Sequence, residues 1–198
     1  QLLQVHREDD LPGALVPQTY FQYLKDGNFE PLQRILDHNK QDIVSLAQLF
    51  YFLCKQVAKP QEIGYGEDLF SLAKALEKTG DTEKAMKCYR MSAQSSMHNE
   101  ACQAMARIEK RSGHTEAAVR LYQTILRHDG SDVNACEALA KLYEHQLKDI
   151  PAAISYTRQA LLILSEPSLF RSEAVQEQQI ALQYRYARLR RKLSAQSK

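Results

Sequence analysis

Ala85-Met86-Lys87-Cys88-Tyr89 returns as Ala118-Val119-Arg120-Leu121-Tyr122 and again as Ala153-Ile154-Ser155-Tyr156-Thr157. The copies begin 33 and 35 residues apart. Repetition at this spacing marks stacked helix pairs, each unit burying its apolar face against the next. Around the copies, each first helix carries an apolar residue, another three on, then a small residue. The sets are Leu69, Leu72 and Ala73; Cys102, Met105 and Ala106; Cys136, Leu139 and Ala140. Gly80 and Gly113 fall where the helices must reverse, followed by Asp81-Thr82-Glu83 and His114-Thr115-Glu116. Glycine tolerates the left-handed conformation that ends a helix, and Asp or Thr can accept from the free N–H groups that start the next. Two helices cross closely only where one presents little side chain. Ala73 with Ala85, and Ala106 with Ala118, therefore let the hairpins close, while Tyr89 and Tyr122 fill the groove beside them.

This block resembles the tetratricopeptide repeat (TPR) family. The expected fold is all-α: a TPR-like helical-hairpin solenoid of about three repeats within 61–164, at roughly 66–98, 99–132 and 133–165. The third repeat departs from the pattern. Thr157 takes the aromatic slot, Tyr156 comes one position early, and no turn glycine occurs. Asp149-Ile150-Pro151 starts its second helix, since proline is tolerated in a first turn. The proline that usually closes each repeat is absent after the first two.

Composition agrees. Seven glycines, six prolines, no tryptophan and a quarter charged residues suit helices, in a chain of 198 residues that is long enough for a short solenoid. No apolar run approaches a membrane span, and Gln1-Leu2-Leu3-Gln4-Val5-His6 lacks a secretory core. The expected location is cytoplasmic. Cys54, Cys88, Cys102 and Cys136 form no CxxC pair and sit at no zinc spacing. They read as reduced, mostly packed thiols, with a disulfide or metal role as the alternative. His6, His98, His114, His128 and His145 make no HxxxH or HExxH and read as surface or capping residues. The chain starts at Gln rather than Met, which points to a piece of a longer or processed protein.

Residues 1–60 do not follow the repeat period. Leu11-Pro12-Gly13 is a turn signal, and Val16-Pro17 disfavours helix at Val16. A short helix is expected over 18–26, with Tyr20, Phe21 and Leu24 on its apolar side, ended by Asp26-Gly27-Asn28. One long helix or two follow over 29–58. Leu32, Ile35, Leu36, Ile43, Leu46, Leu49, Phe50 and Leu53 are its core candidates. Lys59-Pro60 stops it, and this helix could cap the solenoid.

Asp10-Leu11-Pro12-Gly13, Val16-Pro17, Tyr20-Phe21-Gln22-Tyr23-Leu24 and His38-Asn39-Lys40-Gln41-Asp42-Ile43-Val44-Ser45-Leu46 together resemble the end of a YprB-type RNase H-like exonuclease domain. That family places the domain ahead of TPR repeats, as here. The resemblance implies a metal-dependent 3'-5' exonuclease parent acting on nucleic acid. Its carboxylates would hold two divalent cations, Mg or Mn, which activate water and stabilise the leaving oxygen. Asp42 would be the last of those metal ligands. His38, one turn earlier on the same helix face, would position or deprotonate the attacking water. The other reading of this pair is a polar helix face with a solvated ion pair or cap. The earlier carboxylates belong to upstream strands not in this sequence, and Glu8-Asp9-Asp10 is a poor substitute. The 198 residues alone are expected to need no cofactor and to show no nuclease activity.

Gln61-Glu62-Ile63-Gly64-Tyr65-Gly66 reads as a linker. Glu166-Pro167-Ser168 breaks the chain after the third repeat, and 167–194 is expected as a C-terminal capping helix. Phe170, Ala174, Ala181, Leu182, Ala187, Leu189 and Leu193 recur in it near a helical period. No acid follows Glu177, whereas Arg185, Arg188, Arg190, Arg191 and Lys192 gather around Tyr184 and Tyr186. Such a cluster suits nucleic-acid contact by phosphate pairing and base stacking. Interaction with the helix C-terminal dipole accounts for it equally.

The first function class is a TPR-type interaction module. Its groove would be lined by Lys74, Glu77, Gln103, Arg107, Lys110, Glu137 and Lys141, whose mixed charge suits a peptide or protein partner. The second is a nuclease subunit whose repeats and basic tail dock substrate or partner. A stand-alone helical-repeat adaptor without a nuclease link is the alternative.

Overall fold

The computed structural model describes residues 13–165 and 172–196. Among them the chain is helix and turn, with no strand. It divides into two compact units, Gln1–Glu62 and Ile63–Lys198. The acids Glu8, Asp9 and Asp10, the turn at Leu11-Pro12, the break at Glu166-Pro167-Ser168, Phe170 and His6 lie outside the described residues.

In the first unit, α1 (Val16–Asp26) follows a single 3-10 turn, Gly13–Leu15, and contains Val16 despite the proline after it. Proline is compatible with a first turn because its missing N–H would go unused there. Gly27, at φ +69°, ends α1 and donates its N–H to the Tyr23 carbonyl. Asp26 and Asn28 then accept from the N–H groups of Asn28 and Glu30. The expected one or two helices are one: α2 (Glu30–Ala58), 29 residues long. Lys55 and Lys59 both reach Glu62 beyond its end, at 3.1 and 3.0 Å.

The core expected on α2 is corrected. Ile35 is buried, but Leu36, Ile43, Leu46, Phe50 and Leu53 are exposed, Phe50 by 71%. Leu32 and Leu49 are half-buried. Helical spacing puts these residues near one another. Among the described residues of this unit, however, α1, with 11 residues against 29, is the one α-helix that packs on α2.

The second unit is the solenoid. Its hairpins are α3 (Gly66–Lys78) with α4 (Thr82–Ser92), α5 (His98–Arg111) with α6 (Thr115–His128), and α7 (Val133–His145) with α8 (Ile150–Ser165). The alanine pairs Ala73/Ala85, Ala106/Ala118 and Ala140/Ala153 are all fully buried. Each lets its hairpin close. Tyr89 is fully buried and meets Phe70 edge-on at 5.5 Å. Thr157, in the corresponding slot, is buried too, and its hydroxyl donates to the Ala153 carbonyl at 2.7 Å. The displaced Tyr156 stacks on Tyr143 at 5.5 Å instead.

The turns explain one of the two extra residues in the longer spacing, since Ala140 to Ala153 is 13 residues where Ala106 to Ala118 is 12. Gly80 (φ +89°) and Gly113 (φ +82°) take the left-handed conformation. The next N–H groups, of Asp81 and His114, return to the carbonyls of Leu76 and Glu109. In the third hairpin Lys148 fills that role at φ 58°, and Asp149 N–H reaches Tyr143, one residue further back. Asp81 and Asp149 cap the helices that follow by accepting from Lys84 and Ala152 N–H. His114 provides no such cap and bonds Glu109 at 2.8 Å.

Finally α9 (Glu173–Gln196) packs on α8. Its buried side carries Leu182 and Leu189, with Val175 and Leu193 half-buried. Ala174, Ala181 and Ala187, expected in this stripe, face outward. Val175, Leu182 and Leu189 recur every seven positions, and each alanine lies about 100° round the helix or more from that line. The three solenoid cysteines are buried, burial pushes the Cys136 thiol up to about 11, and Cys54 is exposed.

Candidate functional site

The first helices α3, α5 and α7, followed by α9, are joined side by side through polar contacts. Arg107 and Arg111 of α5 reach back to Glu77 of α3. Gln103 of α5 donates to Asp132, the residue that caps α7. Gln178 of α9 donates to Asn134 and Glu137 of α7, both at 3.1 Å. These contacts bring Glu77, Gln103, Arg107 and Glu137 of the expected groove residues into one network across the first helices.

On α3, Lys74 lies 5.8 Å from the Phe70 ring centre. Glu137 pairs with Lys141 at 2.6 Å. Lys110, Tyr122, Asn134, Glu137, Lys141 and Leu142 line a cleft of about 310 Å³ between α5, α6 and α7. The cleft offers an apolar floor, amide groups and charges of both signs, the ingredients of a peptide side-chain pocket.

Two carboxylates organise the rest. Glu77 accepts from the Tyr89 hydroxyl at 2.9 Å and from both arginines. Burial raises its pKa, but Tyr89, Arg111 and Arg107 outweigh burial and hold the carboxyl below its ordinary value. The Tyr89 hydroxyl is pushed up, first by burial and then by its bond to Glu77. Glu144 has no exposed side-chain surface and accepts from Arg185, Arg188 and Lys192 of α9, at 2.6, 2.7 and 2.8 Å. Burial again acts upward, and the Lys192 and Arg188 contacts reverse it, so the Glu144 carboxyl is also held low.

Sequence reasoning missed Glu144. Its partners lie 41 to 48 residues away, beyond any local pattern. A signal was present in the register: Glu77, Lys110 and Glu144 each follow the first-helix residues Leu69, Cys102 and Cys136 by eight positions. Three of the five basic residues assigned to nucleic acid, Arg185, Arg188 and Lys192, are thus bonded to Glu144. Arg190 and Arg191 make no ion pair among the described residues and border an open depression with Ile154.

In the first unit His38 Nε2 lies 3.2 Å from Asp42 Oδ2, on a part-exposed face of α2. The described residues hold no group of three or more His, Cys, Asp or Glu side chains able to hold a metal. The donor set of a two-metal site is therefore not met by them, and no catalytic step is derived from this pair.

The His98 and His128 rings lie 4.6 Å apart, tilted by 37°, where α5 starts and α6 ends, with His98 Nδ1 2.7 Å from the Ala93 carbonyl. No helix among the described residues is long and apolar enough to cross a membrane.

The RNase_H superfamily matches residues 1–54, and the tetratricopeptide repeat matches 69–92. The uncharacterized protein YprB of Bacillus subtilis (strain 168) is 26% identical over 201 residues, covering 98% of this chain and 46% of its own length. The chain thus spans about half the length of that curated relative. Among solved structures, PcrH from Pseudomonas aeruginosa matches with a TM-score of 0.51 at 15% identity, over 63% of this chain and 90% of its own. BtubC from P. vanneervenii has a TM-score of 0.47 at 18% identity, over 91% and 89%. The PcrH likeness speaks for the fold alone. The chain is a helical-repeat solenoid with a matched tetratricopeptide repeat at 69–92, behind a segment similar to a YprB-type RNase H-like domain.

Proposed function

We propose that this chain is an interaction module that holds a peptide segment of a protein partner along the face of α3, α5 and α7. The observation that carries this is the cleft between α5, α6 and α7, where Lys110, Asn134, Glu137 and Lys141 surround the apolar floor of Tyr122 and Leu142. An extended peptide offers backbone groups to the amides and charges, and a side chain to the floor. Amide chemical-shift mapping of a selected peptide ligand on the whole chain tests this. Shifts gathered on α5 and α7 support the groove; shifts confined to α4, α6 and α8 would remove it.

The second reading concerns the parent. The match of residues 1–54 to the RNase_H superfamily supports a longer protein in which this module serves a metal-dependent exonuclease. His38 and Asp42 are then candidate site residues, with further acids and the Mg or Mn ions supplied by the longer chain. Contact of Arg190 and Arg191 with nucleic acid belongs to the same reading. A cytoplasmic setting fits the unpaired thiols Cys54, Cys88, Cys102 and Cys136. The 198-residue chain is expected to leave a labelled oligonucleotide intact with Mg or Mn. Degradation abolished by Asp42→Ala would sink that expectation.

A further inference from the structure

Lys110 stands at a register where the repeats on either side carry Glu77 and Glu144. The flanking carboxylates face inward. Glu144 has 0% and Glu77 13% of its side chain exposed. The cations above them face outward: Arg107 is 57%, Arg111 60%, Arg188 46% and Lys192 47% exposed. Each buried acid therefore anchors more positive charge than it neutralises, two cations at Glu77 and three at Glu144. Exposed Lys110 sits between the two groups, beside the cleft.

Most of the other acids of these helices are already engaged. Glu137 is tied to Lys141 and Gln178, Asp132 to Gln103 and the start of α7, and Glu67 accepts from Ser96, which leaves Glu100 in the first turn of α5 as an exposed acid against the cations of the strip. The face presented to a partner is a strip of guanidinium and ammonium groups over buried carboxylates. A guanidinium fixed by one carboxylate keeps N–H groups for a second, and less side-chain freedom remains to be lost on binding.

We infer that the groove takes an acidic segment of a polypeptide, read by its side-chain carboxylates. This deepens the groove function proposed above and rests on it. A nucleic-acid strand is the less favoured occupant. Sequence-tolerant binding of single strands uses exposed aromatic platforms. Tyr122 of the cleft is half-buried, and the exposed Tyr184, one turn before Arg188 on α9, is a single aromatic rather than a run of stacking platforms. Glu137 at the cleft repels phosphate and carboxylate alike, but it can accept from a peptide N–H, a donor that the sugar-phosphate backbone lacks.

The experiment is fluorescence anisotropy with the whole 198-residue chain at low salt. The probe is a fluorescein-labelled peptide of alternating Glu and Ala with an amidated C-terminus, so that side chains alone supply the charge. A Gln-for-Glu counterpart and oligothymidylate of equal length are the comparators. The Glu peptide should bind about tenfold more tightly than either, with the advantage shrinking as salt rises. Lys110→Glu should weaken it about fivefold without changing the circular dichroism spectrum. Glu77→Gln should also weaken it, although net positive charge rises, because Arg107 and Arg111 lose their anchor. Tighter binding by Glu77→Gln would show that bulk charge, not the anchored strip, is responsible, and would overturn the inference. Equal binding of the Glu and Gln peptides would overturn it while leaving the groove intact. Tighter binding of oligothymidylate would reassign the strip to nucleic acid. Absence of peptide binding would also overturn it, and shift mapping would then decide the groove separately.

Discussion

Single positions show where the repeat pattern meets its limits. Gly66 opens α3, where the Ser92 hydroxyl donates to its carbonyl at 2.8 Å. A Cβ on Gly66 would overlap the side chain of Ser95. Ser95 cannot simply yield, because its hydroxyl donates to the Ser92 carbonyl at 2.7 Å. Gly66→Ala is therefore expected to cost about 1–3 kcal/mol, read as a lower urea midpoint at unchanged slope. Lys148 is the opposite case. It holds the left-handed conformation at φ 58° that Gly80 and Gly113 hold in the other hairpins. The strain of a side chain there exceeds the extra chain entropy of glycine, so Lys148→Gly should gain about 0.5–1 kcal/mol. A loss of stability in that variant would mean that the lysine side chain makes a compensating contact.

At the scale of elements, the apolar spacing announced the hairpins, because small residues at a fixed offset have one mechanical use. The two flanking helices were less legible. Spacing tells which residues share a helix face, but only tertiary partners decide whether that face is covered. On α2 the shared face is exposed, with Ile43 at 68% and Phe50 at 71%. Replacing Ile43 and Phe50 by serine should shift the unfolding free energy by less than about 0.5 kcal/mol and reduce binding of an apolar dye. A large loss of stability would place this face inside a core. On α9 the basic residues were legible as a cluster, but their acid was not, since Glu144 comes from another helix. That pairing has a pH signature. The Glu144 carboxyl is held low in the folded chain, so its stabilising effect is complete above the ordinary glutamate pKa, about 4.3. It is lost as pH falls through the lower folded value. The native chain should thus lose stability more steeply than Glu144→Gln as pH falls below about 4.3. Parallel slopes in the two proteins would show that Glu144 does not hold the helix.

For the molecule as a whole, the order of parts decides what each can do. The RNase_H match ends at residue 54, and the repeats begin on α3. The first unit carries a candidate acid and histidine, and the second a patterned face. A solenoid is only as stable as its ends, because every hairpin relies on a neighbour to cover it. Here the last neighbour is α9. It covers Ala160 of α8 and Cys136 of α7 with Leu182, and Ile150 and Ala153 with Leu189. It also supplies the three cations that Glu144 binds. Ending the chain after Ser165 removes both effects at once. The buried carboxylate is left without partners, and the apolar side of α8 is opened to water. The shortened chain should unfold at a urea midpoint well below that of the whole chain and should self-associate in sedimentation. Its anion-binding strip should shrink to the Glu77 end. If the shortened chain kept its midpoint and stayed monomeric, α9 would be an appendage. The cations of α9 would then be surplus to the fold, and their attachment to Glu144 would need a different explanation.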